Sequence, residues 1–188
     1  MEGTIRDRIF QSAQKLFVEK GYHNTSIPDI VKDAGVSIGA VYHHYKGKED
    51  LARCIHLHAV DEFLHRFDQL VRCKTTIKDK VFAYVDMMFV WAEEDPIMVA
   101  YLLYARPSEI FEKCMTVCSE EGLAVVKEII DEGMAMDQLR SMDKLVASST
   151  MSGILIRMIE MSRDGMLESS LTSMTEEVAE TIWIAIKK

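Results

Sequence analysis

TSIPDIVKDAGVSIGAVYHHYKGKEDL, residues 25–51, predicts two short helices joined by a tight turn and followed by the start of a longer helix. Ser26 and Asp29 have the spacing of a capping box, with a hydroxyl at the N-cap and a carboxylate three residues later. Pro28 falls in the first helical turn, where its missing N–H sacrifices no hydrogen bond. Gly35 can adopt the left-handed conformation that ends a helix. The segment therefore has the layout of a helix-turn-helix.

The second short helix, Ile38 to Tyr45, is the candidate reading element. Ser37 is its candidate N-cap, and helical spacing turns Val41 and Tyr45 inward. A helix of about two turns, held rigidly on a partner helix, is the element that enters the major groove of DNA in helix-turn-helix proteins. We expect the outer face of this helix to contact base edges, through Ser37, Ile38, Gly39, Tyr42 and His43.

Residues 30–51, IVKDAGVSIGAVYHHYKGKEDL, resemble the signature of the tetracycline-repressor (TetR) family of bacterial transcriptional regulators. The shared features are the Ala-Gly-Val turn, the Tyr-x-His-Tyr end of the reading helix and the Lys-Glu-x-Leu start of the next helix. The resemblance covers residues 4–55 and rests on length and helical layout beyond them. It implies an all-α fold of about nine helices, with a DNA-binding domain over 1–48 and a ligand-binding and dimerisation domain over 49–188.

The reading helix departs from the common family pattern at two positions. Ile38 and Ala40 stand where a polar or basic residue and a hydroxyl are common in the family. Apolar contact with thymine methyl groups is the natural replacement. The helix contains no Arg or Lys, so the strongest side-chain contact to guanine is missing. His44 is expected to pack rather than read bases, and a solvated histidine is the alternative interpretation of His43.

Phosphate contacts fix the position of such a domain without specifying sequence. Lys48 begins the fourth helix, where backbone N–H groups also favour an anion. Simple N-capping is the alternative role for Thr25 and Ser26. The full set of phosphate candidates is Thr25, Ser26, Tyr42, Lys46 and Lys48.

The composition favours a helical globular protein. Hydrophobic residues make up 48% of the 188 residues and charged residues 28%, with three prolines and 13 methionines. Arg6, Asp7 and Arg8 come too early for a signal peptide, and the apolar stretch 98–105 is too short to span a bilayer. A cytoplasmic location is expected.

The net charge of −8 is unevenly distributed. Residues 1–50 carry seven basic and seven acidic side chains, whereas residues 51–188 carry fifteen and twenty-three. A neutral head on an acidic body suits a protein that touches DNA at one end only.

Nine helices are predicted from apolar periodicity and end signals. Ile5, Ile9, Ala13, Leu16 and Phe17 form the apolar stripe of the first helix, and Leu51, Ile55, Phe63 and Leu70 lie among the apolar positions of the fourth. Gly133 to Arg140 is expected to be a connector and 166–173 a loop. The predicted helices run from Thr4 to Lys20, 26 to 35, Ile38 to Tyr45, Gly47 to Arg72, Ile77 to Glu93, Ile97 to Tyr104, Pro107 to Glu132, Met142 to Arg163 and Met174 to Lys187.

Methionine and aromatic side chains are concentrated in the fifth to seventh helices. Such side chains line adaptable apolar pockets, and they also simply fill cores. The family resemblance implies a cavity for a small apolar or amphipathic effector, and the candidates to line it are Met87, Met88, Trp91, Met98, Tyr101, Tyr104, Phe111 and Met115. Asp86, Glu93 or Glu94 beside aromatic residues could suit a cationic ligand, although solvated helix faces explain them equally well.

Small and aliphatic residues share one face of the eighth helix, and the ninth helix offers further apolar residues. Two such helices from each of two chains would form a four-helix dimer interface, and packing within one chain is the alternative. The predicted homodimer contacts are Ser149, Ser152, Ile156, Val178 and Ile182. Two symmetric reading helices also need a dimer in order to bind a palindromic operator. The function expected is a repressor that binds operator DNA without ligand and releases it when an effector shifts the fourth helix.

Two competing functions remain. His58, Glu62 and His65 are spaced like ligands of a helical-bundle metal enzyme, but a complete site needs a second such motif and every histidine precedes residue 66. A ligand-binding bundle that has lost DNA binding is the other. Cys114 and Cys118, four residues apart, could form a thiol sensor or metal pair, or act as small buried hydrophobes. No catalytic residue, resident metal or cofactor is expected.

Overall fold

The computed structural model describes residues 3–104 and 122–188, and these ranges contain nine α-helices. The all-α class predicted from the sequence is confirmed. The predicted start of the seventh helix at Pro107 lies outside the described residues. The helices are α1 (Ile5–Lys20), α2 (Ile27–Ala34), α3 (Ile38–His44), α4 (Lys48–Phe67), α5 (Ile77–Glu94), α6 (Pro96–Tyr104), α7 (Gly122–Ala135), α8 (Lys144–Arg163) and α9 (Thr175–Ile186).

The caps of α2 are those that the local sequence predicts. The Ser26 hydroxyl accepts a hydrogen bond from the Asp29 N–H, and the Asp29 carboxylate accepts one from the Ser26 N–H at 2.9 Å. Gly35 has φ 63° and ψ 42°, the left-handed conformation that glycine tolerates best. The Val36 N–H then donates to the carbonyl of Val31 at 3.2 Å. This geometry turns the chain sharply into α3.

The described residues form two compact units. One contains residues 3–61 and 97–104, and the other contains 62–96 and 122–188. The boundary predicted after residue 48, between a DNA-binding domain and a ligand-binding and dimerisation domain, stays a prediction.

The core of the first unit is built from the inward faces of α1 to α4 and α6. Ile9, Ile30 and Val41 are fully buried. Ile5 was expected to join the stripe of α1, but it is 48% exposed, because it lies in the first turn of that helix. The stripe therefore begins one turn later, and the other residues predicted for it, Ile9, Ala13, Leu16 and Phe17, are buried.

The fourth helix ends differently from the prediction. The α-helical part stops at Phe67, and Asp68–Arg72 forms a π-helical turn. Because a π turn holds more residues than an α turn, it rotates the side chains that follow. Val71 is fully buried in place of the predicted Leu70, which is 46% exposed.

Helix α5 is the central element of the second unit, where it packs against α7, α8 and α9. Val81, Val85 and Phe89 on α5 are fully buried. Leu139, in the turn after α7, packs back against that helix, because a Cβ at Gly133 would lie 2.6 Å from the Leu139 side chain and 3.1 Å from Ile77 of α5. A single antiparallel bridge between Leu139 and Lys187 accompanies these helices in the described ranges.

Ion pairs fasten the surface of the second unit. Arg72 pairs with Asp68 and with Glu128 of α7, and Lys80, only 9% exposed, pairs with Glu132. In the part of the chain that the structure describes, no helix is both long and apolar enough to cross a membrane.

Candidate nucleic-acid interface and effector-binding residues

Helix α3 has one buried and one exposed side. Val41 is fully buried and Tyr45 is 3% exposed, as the spacing predicts. On the other side Ile38 is 52% and Tyr42 56% exposed, and His43 is exposed as well. Helix α3 has only seven residues, and two of its large side chains are exposed. The packing of the fold does not require this exposure.

The start of α3 is fixed by its cap. The Ser37 hydroxyl accepts a hydrogen bond from the Ala40 N–H at 3.1 Å. Gly39 follows in the first turn, and a Cβ built there would meet only the Ser37 hydroxyl, at 3.9 Å. At the C-terminal end of α3, the His43 and His44 rings stand edge to face with centroids 4.9 Å apart. Tyr45 follows them, and burial raises the pKa of its hydroxyl. The five residues predicted to read bases thus lie together on α3 or at its cap.

The structure corrects the expected role of Thr25. Its side chain is 1% exposed, and its hydroxyl donates to the carbonyl oxygens of Leu16 at 3.2 Å and Gly21 at 2.9 Å. A buried hydroxyl engaged in this way holds α1 against the start of α2. We therefore leave the Thr25 side chain out of the proposed phosphate contacts.

Ser26 is exposed, but its hydroxyl also has a partner. It donates to the Asp29 carboxylate, and this bond lowers the pKa of Asp29 together with the bond from the Ser26 backbone N–H. A phosphate approaching Ser26 would meet that carboxylate. The geometry favours the capping role that the sequence left open.

Lys48 has a structural role that sequence reasoning missed. Its ammonium group donates to the carbonyl oxygens of Tyr22 and Thr25, both at 2.9 Å, and lies 4.1 Å from the centroid of the Tyr22 ring. Lys48 thus ties the start of α4 to the loop between α1 and α2. The phosphate contact predicted for it stays a prediction, as does that of the exposed Lys46, whose N–H donates to Asp50 at 3.0 Å.

Replacing Lys48 with Met is expected to lower the free energy of unfolding by about 1–3 kcal/mol. The change keeps the aliphatic stem, removes two charge-assisted hydrogen bonds and leaves two half-buried carbonyls without their donor. Urea unfolding followed by circular dichroism measures this. Lys46→Met is the matched control, because it removes the same charge from an exposed side chain, and equal midpoints for both variants would contradict the role of Lys48.

The residues predicted to bind an effector are mostly buried. Met87, Met88 and Trp91 of α5 are each 1% exposed and belong to the second unit. Met98 and Tyr101 of α6 are 4% and 2% exposed and belong to the first unit. Their assignment to a cavity stays a prediction. The sixth described candidate, Tyr104, is half-buried, and Phe111 and Met115, like Cys114 and Cys118, lie outside the described residues.

Two of these candidates make polar contacts within the first unit. The Met98 sulfur accepts a hydrogen bond from the Gln14 amide at 3.2 Å, and the Tyr101 hydroxyl donates to the carbonyl of Ala52 at 3.1 Å. These contacts connect α6 to α1 and α4. Met98 and Tyr101 therefore have packing functions whether or not a ligand touches them.

The predicted dimer contacts divide into exposed and buried residues. Val178 is 7% exposed and Ile182 is fully buried within the chain, so packing within one chain, the alternative left open by the sequence, is correct for this pair. Ser149 is exposed, and Ser152 and Ile156 are half-buried. Large apolar residues are also exposed on α8 and α9: Leu145 at 61%, Val146 at 53% and Ile184 at 58%.

Two of the three residues in the metal-enzyme alternative, Glu62 and His58, contact other side chains in the described ranges. No group of three or more His, Cys, Asp or Glu side chains is placed there to hold a metal ion. Glu62 instead accepts a hydrogen bond from Arg66 at 2.7 Å, and the His58 ring stands edge-on to Phe10 with centroids 5.4 Å apart.

Comparisons with known proteins agree with the helix-turn-helix. The family model described as bacterial regulatory proteins, tetR family, matches residues 9–55. The chain is 25% identical over 136 residues to the fatty acid metabolism regulator protein of Bacillus subtilis, covering 71% of this chain and 70% of that protein. It is 32% identical over 117 residues to an HTH-type transcriptional regulator of Staphylococcus aureus, covering 62% of this chain and 54% of that one.

A solved structure extends the likeness to the whole fold. The transcriptional regulator FadR from Bacillus subtilis, solved in complex with stearoyl-CoA, has a TM-score of 0.74 at 20% identity, covering 94% of this chain and 97% of that chain. The exposed reading helix and the matched segment lie in the same part of the sequence. Residues 9–55 are therefore a DNA-binding domain of the tetR family of bacterial regulatory proteins, and the chain is a DNA-binding transcriptional regulator.

Proposed function

We propose that this protein is a dimeric repressor that binds a palindromic operator through α3 and releases it when an amphipathic effector binds the second unit. The observation that carries the proposal is the exposed side of α3, where Ile38, Tyr42 and His43 face solvent over a buried Val41. Exposed apolar and aromatic side chains on a rigid helix match the edges of bases in a major groove.

The exposed chemistry of α3 also favours particular base pairs. Ile38 offers only apolar contact, for which the methyl group of thymine is the partner in the major groove. Tyr42 and His43 supply hydrogen-bonding groups near the end of the helix. We expect the operator half-site to place thymine opposite Ile38.

A second copy of the chain is the proposed partner at the outer face of α8 and α9. Leu145, Val146 and Ile184 would be buried there, and the exposed Ser149 and Gly153 allow close helix approach. A two-fold dimer would present two reading helices to half-sites separated by roughly 34–36 Å or a multiple of that distance.

Two relatives support the choice of an effector class. One curated relative is a fatty acid metabolism regulator, and one structural neighbour was solved with stearoyl-CoA. We therefore propose a long-chain acyl thioester of coenzyme A as the effector of this chain. The buried methionines and tryptophan of α5 supply the kind of adaptable apolar surroundings that an acyl chain requires.

Helix α4 is the proposed route from effector to DNA. Its residues 48–61 are assigned to the first unit and 62–67 to the second, within one continuous helix. An effector that favours a position of α4 incompatible with operator spacing weakens DNA binding by its difference in affinity for the two states. Tenfold weaker binding requires about 1.4 kcal/mol.

The proposal predicts that stearoyl-CoA weakens DNA binding at least tenfold. Fluorescence anisotropy with a labelled duplex from the region upstream of the protein's own gene measures this, at fixed salt and with competitor DNA. Free coenzyme A and stearate are the controls, and each alone is expected to have a smaller effect. Specific binding that stearoyl-CoA leaves unchanged contradicts the effector, whereas the absence of any specific binding contradicts the repressor itself.

A further inference from the structure

A cleft on the second unit lies apart from the residues proposed to bind DNA or the effector. Its volume is about 500 Å³, and none of the predicted effector residues lines it. Four of the lining residues lie on one face of α5, because they follow one another at spacings of three, one and three: Asp79, Phe82, Ala83 and Asp86. The remaining lining residues come from the π turn, the segment after it, the first turn of α5 and the start of α9: Leu70, Lys74, Lys78 and Thr175.

The apolar part of the cleft is exposed to water. Leu70 is 46% exposed, and Phe82 is half-buried beside Ala83. A leucine and an aromatic ring that share an open cleft provide a surface on which an apolar body can be buried.

The charges of the cleft are unequally neutralised. Lys78 pairs with Glu180 at 2.9 Å and lies 5.0 Å from the centroid of the Phe82 ring, so its charge is already balanced. No salt bridge engages Asp79 or Asp86 in the described part of the chain. Lys74 precedes α5, whereas Asp86 lies about 13 Å along the axis from the first residue of that helix. Asp86 therefore lies at the far end of the cleft from the Lys74 ammonium group, which has no salt bridge within the described ranges.

Thr175 adds a second observation at the cleft. Its hydroxyl oxygen is buried and has no hydrogen-bond partner among the described residues. Buried hydroxyl groups in native proteins nearly always have a partner. Because Thr175 lines the cleft, a ligand that displaces the atoms covering this oxygen and carries an N–H donor would supply one.

We propose that this cleft binds an amphipathic organic cation, whose ammonium group pairs with Asp86 and whose apolar body lies against Phe82 and Leu70. The net charge supports a cation over an anion, because the whole charge of −8 lies in residues 51–188. The binding itself is independent of DNA recognition and of the proposed acyl-CoA effector.

Asp86, Glu93 and Glu94 are the three carboxylates that the sequence offers to a cationic ligand, and the structure favours Asp86. Glu93 accepts hydrogen bonds from the N–H and hydroxyl of Thr172 at 3.2 and 2.9 Å. Glu94 accepts one from Arg66 at 2.9 Å. Asp86 is the member of this acidic set that lines the cleft.

Three probes of matched size test the proposal: 2-phenylethylamine, the neutral 2-phenylethanol and the anionic phenylacetate. Titrations of the full-length protein, followed by NMR, are expected to give a millimolar dissociation constant for the amine, as a small fragment allows. The amine should bind at least fivefold more tightly than the alcohol, with phenylacetate weakest. Shifts should include the amide signals of Phe82, Ala83 and Asp86.

Asp86→Asn is expected to weaken amine binding threefold to tenfold and to leave the alcohol unchanged. Glu168→Gln is the matched control, because it removes one exposed negative charge from the same unit away from the cleft. Thr175→Val should weaken the amine more than the alcohol. Tighter binding of phenylacetate, an unchanged Asp86→Asn variant, or the absence of binding by every probe overturns the proposal.

Discussion

Replacing Tyr42 and His43 together with alanine is expected to weaken operator binding about a hundredfold or more and to leave the fold intact. Both side chains face solvent on α3, Tyr42 with 56% of its surface exposed. Their removal therefore deletes little of the packing that holds α3 to the core. A side chain that contacts bases contributes on the order of 1–3 kcal/mol, so two of them account for the expected loss.

The measurement is anisotropy on the upstream duplex, with thermal unfolding and light scattering on the same samples. The variant should keep the melting temperature and the oligomeric state of the parent. Leu57→Ala with His65→Ala is the matched control, because it truncates an exposed apolar residue and an exposed histidine on α4. Undiminished operator binding by the Tyr42 and His43 variant contradicts the assignment of α3 as the reading helix.

The helix-turn-helix was predictable because its determinants are local. Ser26 with Asp29, Gly35 and Ser37 each act on backbone groups a few residues away, and the structure confirms all of these caps. The inward positions of Val41 and Tyr45 also follow from helical spacing alone. Sequence was therefore sufficient for the geometry of α2 and α3.

Contacts between distant segments were not predictable in the same way. Lys48 reaches the carbonyls of Tyr22 and Thr25, more than twenty residues earlier, and nothing in its immediate neighbours indicates this. Thr25 is a residue type that often caps helices, yet its hydroxyl donates to the carbonyl of Leu16 inside the core. A side chain whose partner lies far along the chain is assigned only when the fold is known.

Apolar periodicity identifies the apolar face of a helix, but it does not tell whether that face packs within its own chain or against a second copy. Val178 and Ile182 pack within their own chain, whereas Leu145, Val146 and Ile184 remain exposed. Both sets have the residue types of an interface. Burial within the chain therefore removes Val178 and Ile182 from the expected contact surface, and the dimer through α8 and α9 stays a proposal.

Replacing Gly39 with alanine is expected to weaken operator binding without lowering the stability of the fold. A Cβ at this position would meet only the Ser37 hydroxyl, at 3.9 Å, which is an ordinary van der Waals contact. Alanine also favours helix over glycine by up to about 1 kcal/mol. The fold should therefore tolerate the change or gain stability from it.

Operator binding should respond in the opposite direction. Gly39 has no side chain to read a base, and we propose that it lets the DNA approach the backbone of α3. A methyl group inserted into a close-packed interface costs about 1–3 kcal/mol, so operator affinity should fall about 30-fold. Gly39→Ser should weaken it further, since its side chain is larger.

Paired measurements of melting temperature and operator affinity distinguish this effect from simple unfolding. Affinity for non-specific DNA is the internal control, because phosphate contacts that do not involve close approach of Gly39 should be preserved. A lower melting temperature would show that the open space around Gly39 is needed by the fold. An unchanged operator affinity would show that the DNA does not approach α3 at Gly39, and the proposed reading surface would then consist of Ser37, Ile38, Tyr42 and His43.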